Sequence, residues 1–340
     1  MSKKRDNFLA MFSAEQGLIL GLAPMAGTST PAFRGLVSEL SASFTISELV
    51  SARGIVYNPH MEKVSRFLQA DPRERLYAIQ LFGHDPQDFS TAIRTVLQHP
   101  VYGQTNWIDI NMGCPVKKVC GTGAGAALMN KPDLATAIAA AAVEAAAEFN
   151  KFVTVKMRSG WDEHEISAPL LAKRLENVGV AGITVHARSR NQFYGGKADW
   201  QVFSEVRAQC NLPLCGNGDI KTADDIRQLQ EIVKLDAYQI GRAAMGNPFV
   251  FEQIRAGMKQ EGKPREVSGD RWLAAVLNHL DGMIKLLGEE QGCKEMRSQF
   301  AHYVRGVRNA AVYRDRLMQI EDRQSAVEIL QKVAENMRTR

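Results

Sequence analysis

Residues 131–149 read KPDLATAIAAAAVEAAAEF, and residues 152–161 read FVTVKMRSGW. The first stretch opens with a proline and continues through an alanine-rich body, which is the composition of a helix. The second is a short β-branched and apolar run that ends in basic and small residues, which is the composition of a strand. Just upstream, residues 107–115 (WIDINMGCP) form another run of the same kind. A helix between two such strands implies parallel pairing through a right-handed crossover.

The same alternation extends in both directions. Strand-like runs are LILGLAPMAG from Leu18, SFTISELVS from Ser43, LYAIQLFG from Leu76, AGITVHARS from Ala181, NLPLCGNGDI from Asn211 and DAYQIGRAAM from Asp236. With the two runs above, that makes eight. Helix-like segments lie between them, the clearest others being residues 85–98 and 222–233. Eight strand–helix units within about 250 residues predict a (β/α)8 barrel. An open doubly wound sheet fits less well, because no GxGxxG follows the first strand. After Phe251 the pattern changes to a polar, glycine- and proline-bearing linker and then to helices alone. The expected organisation is a catalytic barrel over 1–255, a linker over 256–269 and a small all-helical domain over 270–340. Within the last, Met296, Phe300, Tyr303, Val304 and Val307 predict one helix with an apolar stripe.

The composition suits a water-soluble globular chain, with 45% hydrophobic and 23% charged residues and a net charge of +5. No apolar run approaches the roughly 20 residues that a membrane helix needs. The start, MSKKRDNFLAMFSAEQG, is broken by acidic and polar residues before a signal-like apolar core forms, and reads as the ragged beginning of a cytoplasmic protein. The cysteines, at 114, 120, 210, 215 and 293, are odd in number and lack a CxxC pair. That speaks against a disulfide framework and against a metal site.

In a barrel of this type the chemistry sits where the strands end. The ends carry Pro24, Met25 and Ala26; Glu48; Gln80; Asn111 with Cys114; Lys156 with Arg158; His186 with Arg188; Asn217, Gly218 and Asp219; and Gly241 with Arg242. Any one of these is explained by a solvated strand end; the set points to a single site at the mouth. The glycines of GNGD and IGRA, with Arg242, suit a phosphate. Lys156 suits either a Schiff base or the stabilisation of negative charge, such as that of a reduced flavin. Gln80 offers an amide to a flavin ring edge. Cys114 sits on a loop opened by Pro115. An ordinary thiol is protonated at neutral pH, so Cys114 can deliver a proton without activation. A nucleophilic thiolate stays open, with Lys117 and Lys118 nearby. Cys120, Cys210, Cys215 and Cys293 read as small core residues.

The motifs APMAG, QLFG, DINMGCPVKKV, VKMRSGW, TVHARSR, GNGDI and IGRAAMGNPFVF, in this order from Leu20 to Phe251, resemble the tRNA-dihydrouridine synthases. INMGCPVKKV and MRSQFAHYVRGVRNA are most similar to the bacterial B-type branch, while GTGAGAAL resembles other branches too. The resemblance implies an FMN enzyme that reduces the C5–C6 double bond of a tRNA uridine in the D-loop, with NADPH as reductant. It implies that Pro24, Met25, Ala26 and Gln80 hold the isoalloxazine, Lys156 its N1/O2 edge, and His186 the flavin. Asn217, Gly218, Asp219, Gly241 and Arg242 would take the phosphate, and Cys114 would be the proton donor. Asn111, Arg158, Arg188 and Arg190 would contact the base or the RNA. From 291 to 316 the tail holds Lys294, Arg297, Arg305, Arg308, Arg314 and Arg316 against Glu295 and Asp315. Beside a uracil site this basic face, with Arg297, Arg305 and Arg308 foremost, reads as a tRNA-binding surface. Rival readings are an FMN barrel dehydrogenase acting on a free pyrimidine or another small metabolite, a flavin-free lysine aldolase, and a non-catalytic tRNA-binding protein.

Overall fold

The computed structural model describes residues 2–15, 17–259 and 266–338. The strands are β1 (Leu20–Leu22), β2 (Phe44–Ile46), β3 (Val50–Ser51), β4 (Tyr77–Phe82), β5 (Trp107–Met112), β6 (Phe152–Arg158), β7 (Gly182–His186), β8 (Leu214–Asn217) and β9 (Ala237–Ile240). All pair in parallel. β1 pairs with both β2 and β9, and β2 also pairs with β4, so the sheet closes on itself. β3 continues the course of β2 and pairs with Leu81 and Phe82 at the upper end of β4. The run from Ser43 read as one strand is therefore interrupted at residues 47–49, and the closed barrel keeps eight staves.

The crossover helices start where their caps predict. Asp85 accepts from the Gln87 N–H ahead of helix Pro86–Gln98. Thr222 and Asp225 form a reciprocal capping box on helix Ala223–Ile232. Helix Pro132–Ala147 buries Ala135, Ile138, Ala139, Ala142, Ala145 and Ala146. Small side chains on that face let its backbone come close to the sheet.

The lower end of the barrel is sealed by aromatic rings. Phe44 fills the space beside Gly21, where an added Cβ would lie 2.1 Å from the ring. The N-terminal segment is not ragged: helix Ser2–Ala10 brings Phe8 to the barrel floor and the following turn brings Phe12. Phe8 meets Trp107 edge-on at 5.8 Å and Phe152 at 5.5 Å, and Phe12 meets Phe44 at 5.7 Å. Residues 5–12 thus form a plug whose apolar side has no partner within its own helix.

Helices Gly269–Leu287, Glu289–Tyr303, Ala310–Leu317 and Arg323–Arg338 form the tail. Their shared core includes Val276, Leu280, Met296, Phe300, Leu317 and Leu330. The stripe expected to run to Val307 stops earlier. The helix ends at Tyr303, Gly306 takes φ +79° and Asn309 φ +62°, and the chain turns into the next helix. Arg305 and Arg308 therefore lie on the turn and not on a helix face. Helix Val250–Met258 runs past the expected barrel boundary at 255, and residues 260–265 of the expected linker lie outside the described residues. The tail docks on helix Pro31–Glu39. Gly282 faces Ala32, with room for no Cβ (2.7 Å), and the His279 ring meets Phe33 in a tilted contact at 5.1 Å.

Replacing Phe12 by alanine opens the barrel floor. It should lower unfolding free energy by about 3 kcal/mol in urea titrations, and Phe12→Leu should cost clearly less. Equal midpoints for parent and Phe12→Ala would show that the plug adds nothing to stability.

Candidate active site

A cavity of about 400 Å³ opens at the C-terminal ends of the strands. Of the residues expected there, Pro24, Met25, Ala26, Asn111, Cys114, Lys156, Arg158, His186, Asn217, Gly218, Asp219, Gly241 and Arg242 line it. Glu48, Gln80, Arg188 and Arg190 do not.

The reason begins one layer below. Asp109 points into the barrel, fully buried. Its carboxylate accepts from Thr154 Oγ1 at 2.5 Å and from Gln80 Nε2 at 2.7 Å. A carboxylate only accepts, so the Gln80 amide can point only one way. Its Oε1 then accepts from Asn111 Nδ2 at 2.8 Å, which turns Asn111 Oδ1 toward the backbone N–H groups of Gly113 (3.2 Å) and Cys114 (2.9 Å). Gln80 is thus used at both ends inside the protein, two residues short of the end of β4. It holds Asn111 and the cysteine loop in place.

Cys114 is half-buried at the rim. Burial pushes its thiol up from the ordinary range; the Val116 N–H and Arg158 pull only partly against this. Lys117 and Lys118 are exposed and are not among the groups that move it. Burial thus favours the protonated thiol over the thiolate left open by the sequence. Cys120 is half-buried too, and its thiol donates to the Cys114 carbonyl at 3.2 Å, so it braces the loop. Cys210, Cys215 and Cys293 are buried.

The cavity wall is strongly cationic. Lys156 donates to Asn217 Oδ1 at 3.1 Å. Burial, and then Arg158, bring its ammonium down to about 8. Burial lowers the Arg158 guanidinium to about 10, so it keeps its charge. Burial first, then Lys156, Arg158, Arg188 and Arg242, hold His186 well below the usual imidazole range, so it is neutral at pH 7. A neutral ring beside several cations can donate or accept without adding to the charge.

Several arginines have work inside the protein. Arg158 donates to the carbonyls of Gly113, Ser189 and Phe193, tying the cysteine loop to the loop after β7. Arg188, with a buried side chain, is held by Gly195 O, Gly196 O and Asp219, so it organises that loop and is no surface for substrate. Arg190 stacks over Trp161 and Phe193 outside the cavity. In the tail, Arg297 donates to Ile320 O from both Nε (2.9 Å) and Nη2 (2.5 Å), so it joins two segments of the tail. Asp219 was expected to take the phosphate. Its carboxylate instead pairs with Arg188 at 2.6 Å and Arg242 at 3.0 Å, and Ala198 N–H adds a third donor. An anion here would meet Arg242 and bare backbone, with Asp219 setting the arginine's position. Gly218 takes φ +116°, and an added Cβ would crowd His186 Cδ2 at 3.0 Å and Ala198 Cβ at 3.1 Å. Only glycine suits that turn.

Among the lining residues that the sequence reading missed, which include Thr28, Tyr194 and Lys221, Gln239 carries the most information. Gln239 is fully buried and faces the cavity, with neither side-chain amide atom bonded. It lies two positions before Gly241 on β9, so strand alternation puts both on the inner face; that period was the available signal. A buried amide without partners is costly unless something fills the space beside it. An amide that both donates and accepts, next to an ammonium and above a glycine- and arginine-bearing corner, fits the heteroatom edge and phosphate of a flavin. Among the described residues no group of three or more His, Cys, Asp or Glu side chains comes together as a metal site, and no helix is long and apolar enough to cross a membrane.

Comparison with known proteins agrees with this geometry. A sequence model for Dihydrouridine synthase (Dus) matches residues 21–338. A probable tRNA-dihydrouridine synthase of Treponema pallidum is 34% identical over 293 residues, 84% of each chain. tRNA-dihydrouridine synthase B of Pasteurella multocida is 32% identical over 301 residues, 88% of each chain. Among solved structures, the old yellow enzyme homologue of Zymomonas mobilis superposes with a TM-score of 0.50 at 13% identity, over 75% of this chain and 91% of that one. That likeness is one of barrel fold. The family match and the curated relatives, each spanning most of the chain, show that it belongs to the dihydrouridine synthases, a family of flavin-dependent oxidoreductases.

Proposed function

We propose that the chain reduces the C5–C6 double bond of a uridine in the D-loop of cytoplasmic tRNA, with FMN as bound cofactor, NADPH as reductant and Cys114 as proton donor. The observation that carries this is a thiol held protonated at the rim of a cation-walled cavity, on a loop fixed from below by Asn111. The hydride for C6 would come from the bound flavin, re-reduced in turn by NADPH. Cys114 Sγ–H supplies the proton to C5, so one hydride and one proton add across the double bond. The thiolate left behind faces the Arg158 charge and regains a proton from solvent. Lys156 neutralises negative charge on the ring. Asn217, itself fixed by its donation to Gln239 O at 2.7 Å, holds that ammonium in place. The backbone at Gly218 and Gly241, with Arg242, takes the phosphate.

In this reading residues 1–255 are the catalytic barrel and 270–340 a tRNA-binding unit joined through 256–269. Arg305 and Arg308 are exposed on the turn after Tyr303, and Arg308 makes no hydrogen bond or ion pair among the described residues. A stacked uridine has to be extruded to reach the cavity at a cost of a few kcal/mol, which phosphate contacts offset.

Cys114→Ala should purify with normal flavin content and be reduced by NADPH at the parental rate. Its reoxidation by unmodified tRNA in single-turnover absorbance traces should be roughly 100- to 10,000-fold slower. Parental reoxidation would remove Cys114 from the chemistry. Free uridine should not substitute for tRNA in the parent protein; if it does, the substrate is a free pyrimidine.

Lys156 supplies a pH dependence. Its ammonium is charged below about 8 and neutral above. The dissociation constant of FMN from flavin-free protein should therefore be level below pH 8 and rise by up to about tenfold per pH unit above it. Lys156→Met should bind more weakly with no inflection near 8. The same inflection in that variant would assign the titration to another group.

Reversing Arg305 and Arg308 to glutamate should weaken tRNA binding and reduce the slope of log affinity against log salt by about 1 to 2. NADPH oxidation without tRNA should persist. An unchanged slope would separate this turn from the RNA.

A further inference from the structure

The loop of residues 24–28 forms one wall of the cavity through Pro24, Met25, Ala26 and Thr28. Its base is stapled locally: Ser29 Oγ accepts from Met25 N–H at 2.9 Å, and Met25 O accepts from Thr28 and Ser29. Its apex has no such local support. Gly27 takes φ +71°, and a Cβ there would meet nothing within 4 Å. Two distant groups hold that apex instead. On one side the Gly27 N–H donates to the buried carboxylate of Glu48, at the break between β2 and β3. On the other, Gly27 O accepts from Gln299 Nε2 at 2.6 Å, and Gln299 belongs to tail helix Glu289–Tyr303, 272 residues away. One turn earlier on that helix, Glu295 pairs with Arg66 of the barrel at 2.6 Å. Residues four apart lie on one helix face, so Glu295 and Gln299 grip the barrel side by side.

We infer that Glu48 and Gln299 are positioning residues that set the cavity loop from its two sides, and that the helical tail thereby shapes the wall of the flavin cavity. Neither side chain lines the cavity; each acts through the backbone of Gly27. The inference rests on the reading of that cavity as the flavin site. It adds that seating of the tail against the barrel and the hold on the cofactor are one linked property. A tail displaced at Gln299 frees the apex and loosens Met25 and Ala26 against whatever they hold.

The test uses the full chain and Gln299→Met, which keeps the shape and removes the donor. Cys293→Ala, in the buried tail core away from Gly27, serves as the control for general destabilisation. Hydrogen–deuterium exchange of the flavin-free protein reads the loop directly. In Gln299→Met the amides of residues 25–29 should exchange roughly three- to tenfold faster than in the parent, the loss expected for one hydrogen bond. In Cys293→Ala they should not, even where its melting temperature falls further. FMN titration should show a three- to tenfold weaker dissociation constant for Gln299→Met alone. Gln299→Lys restores a donor beside Glu48 and Glu295 and should recover most of both effects. Unchanged exchange at residues 25–29 in Gln299→Met overturns the inference, whatever the cofactor. Faster exchange in Gln299→Met, with a parent that binds no FMN, upholds the clamp and overturns the flavin reading instead.

Discussion

The carboxylate of Asp109 is the constraint from which the upper barrel is built. A buried carboxylate is tolerated only with donors around it. Burial pushes it up to about 6, and Gln80 and Thr154 pull it back. At neutral pH it is ionised and can only accept, so every amide above it is oriented: Gln80, then Asn111, then the backbone of Cys114. Below it, Trp107 Nε1 donates to Thr154 Oγ1 at 3.1 Å, which links the same chain to the aromatic floor. The reactive-looking thiol thus owes its place to a group one layer beneath the cavity.

The cationic wall raises a second problem, since Lys156, Arg158 and Arg242 line one small cavity and Arg188 adds its charge beside His186. The protein offsets this in two ways. It spends guanidinium N–H groups on backbone carbonyls of the mouth loops, and it sets Asp219 between Arg188 and Arg242. His186 contributes by staying neutral. What remains is positive potential directed into the cavity, with the arginine planes already fixed before an anion arrives. Such preorganisation lowers the ordering cost of binding.

The barrel was legible because strand-like and helix-like runs alternate along the chain and cap residues mark several of the helix starts, as at Asp85 and Thr222. Most of the cavity lining was legible too, since in a parallel barrel the last inward residue of each strand reaches the mouth. The readings that shifted did so for reasons of depth and partnership, which local sequence does not encode. Gln80 looked like a strand end, yet β4 continues through Leu81 and Phe82, and that places the amide one layer down. Arg188 and Arg190 had the right charge on the right loop, but carbonyls and aromatic rings of the same region consume them. Phe8 and Phe12 sit in a short, mostly polar segment whose meaning depends on rings at Phe44, Trp107 and Phe152. Gln239 was passed over because it stands inside a strand rather than at its tip.

The plug also carries a consequence for how the chain is made. Phe8 leaves the ribosome ahead of its ring partner Phe152, which follows 144 residues later (152 − 8). At roughly 5–20 residues per second, the segment waits on the order of 10 s before its partners exist. During that interval an apolar helix face is exposed on a nascent chain that cannot yet bury it. Trp107 emerges before Phe152, so Phe12 can find Phe44 and Trp107 while Phe8 is still incomplete. Phe8, with Phe152 among its ring partners, thus completes its set of neighbours later in synthesis than Phe12 does.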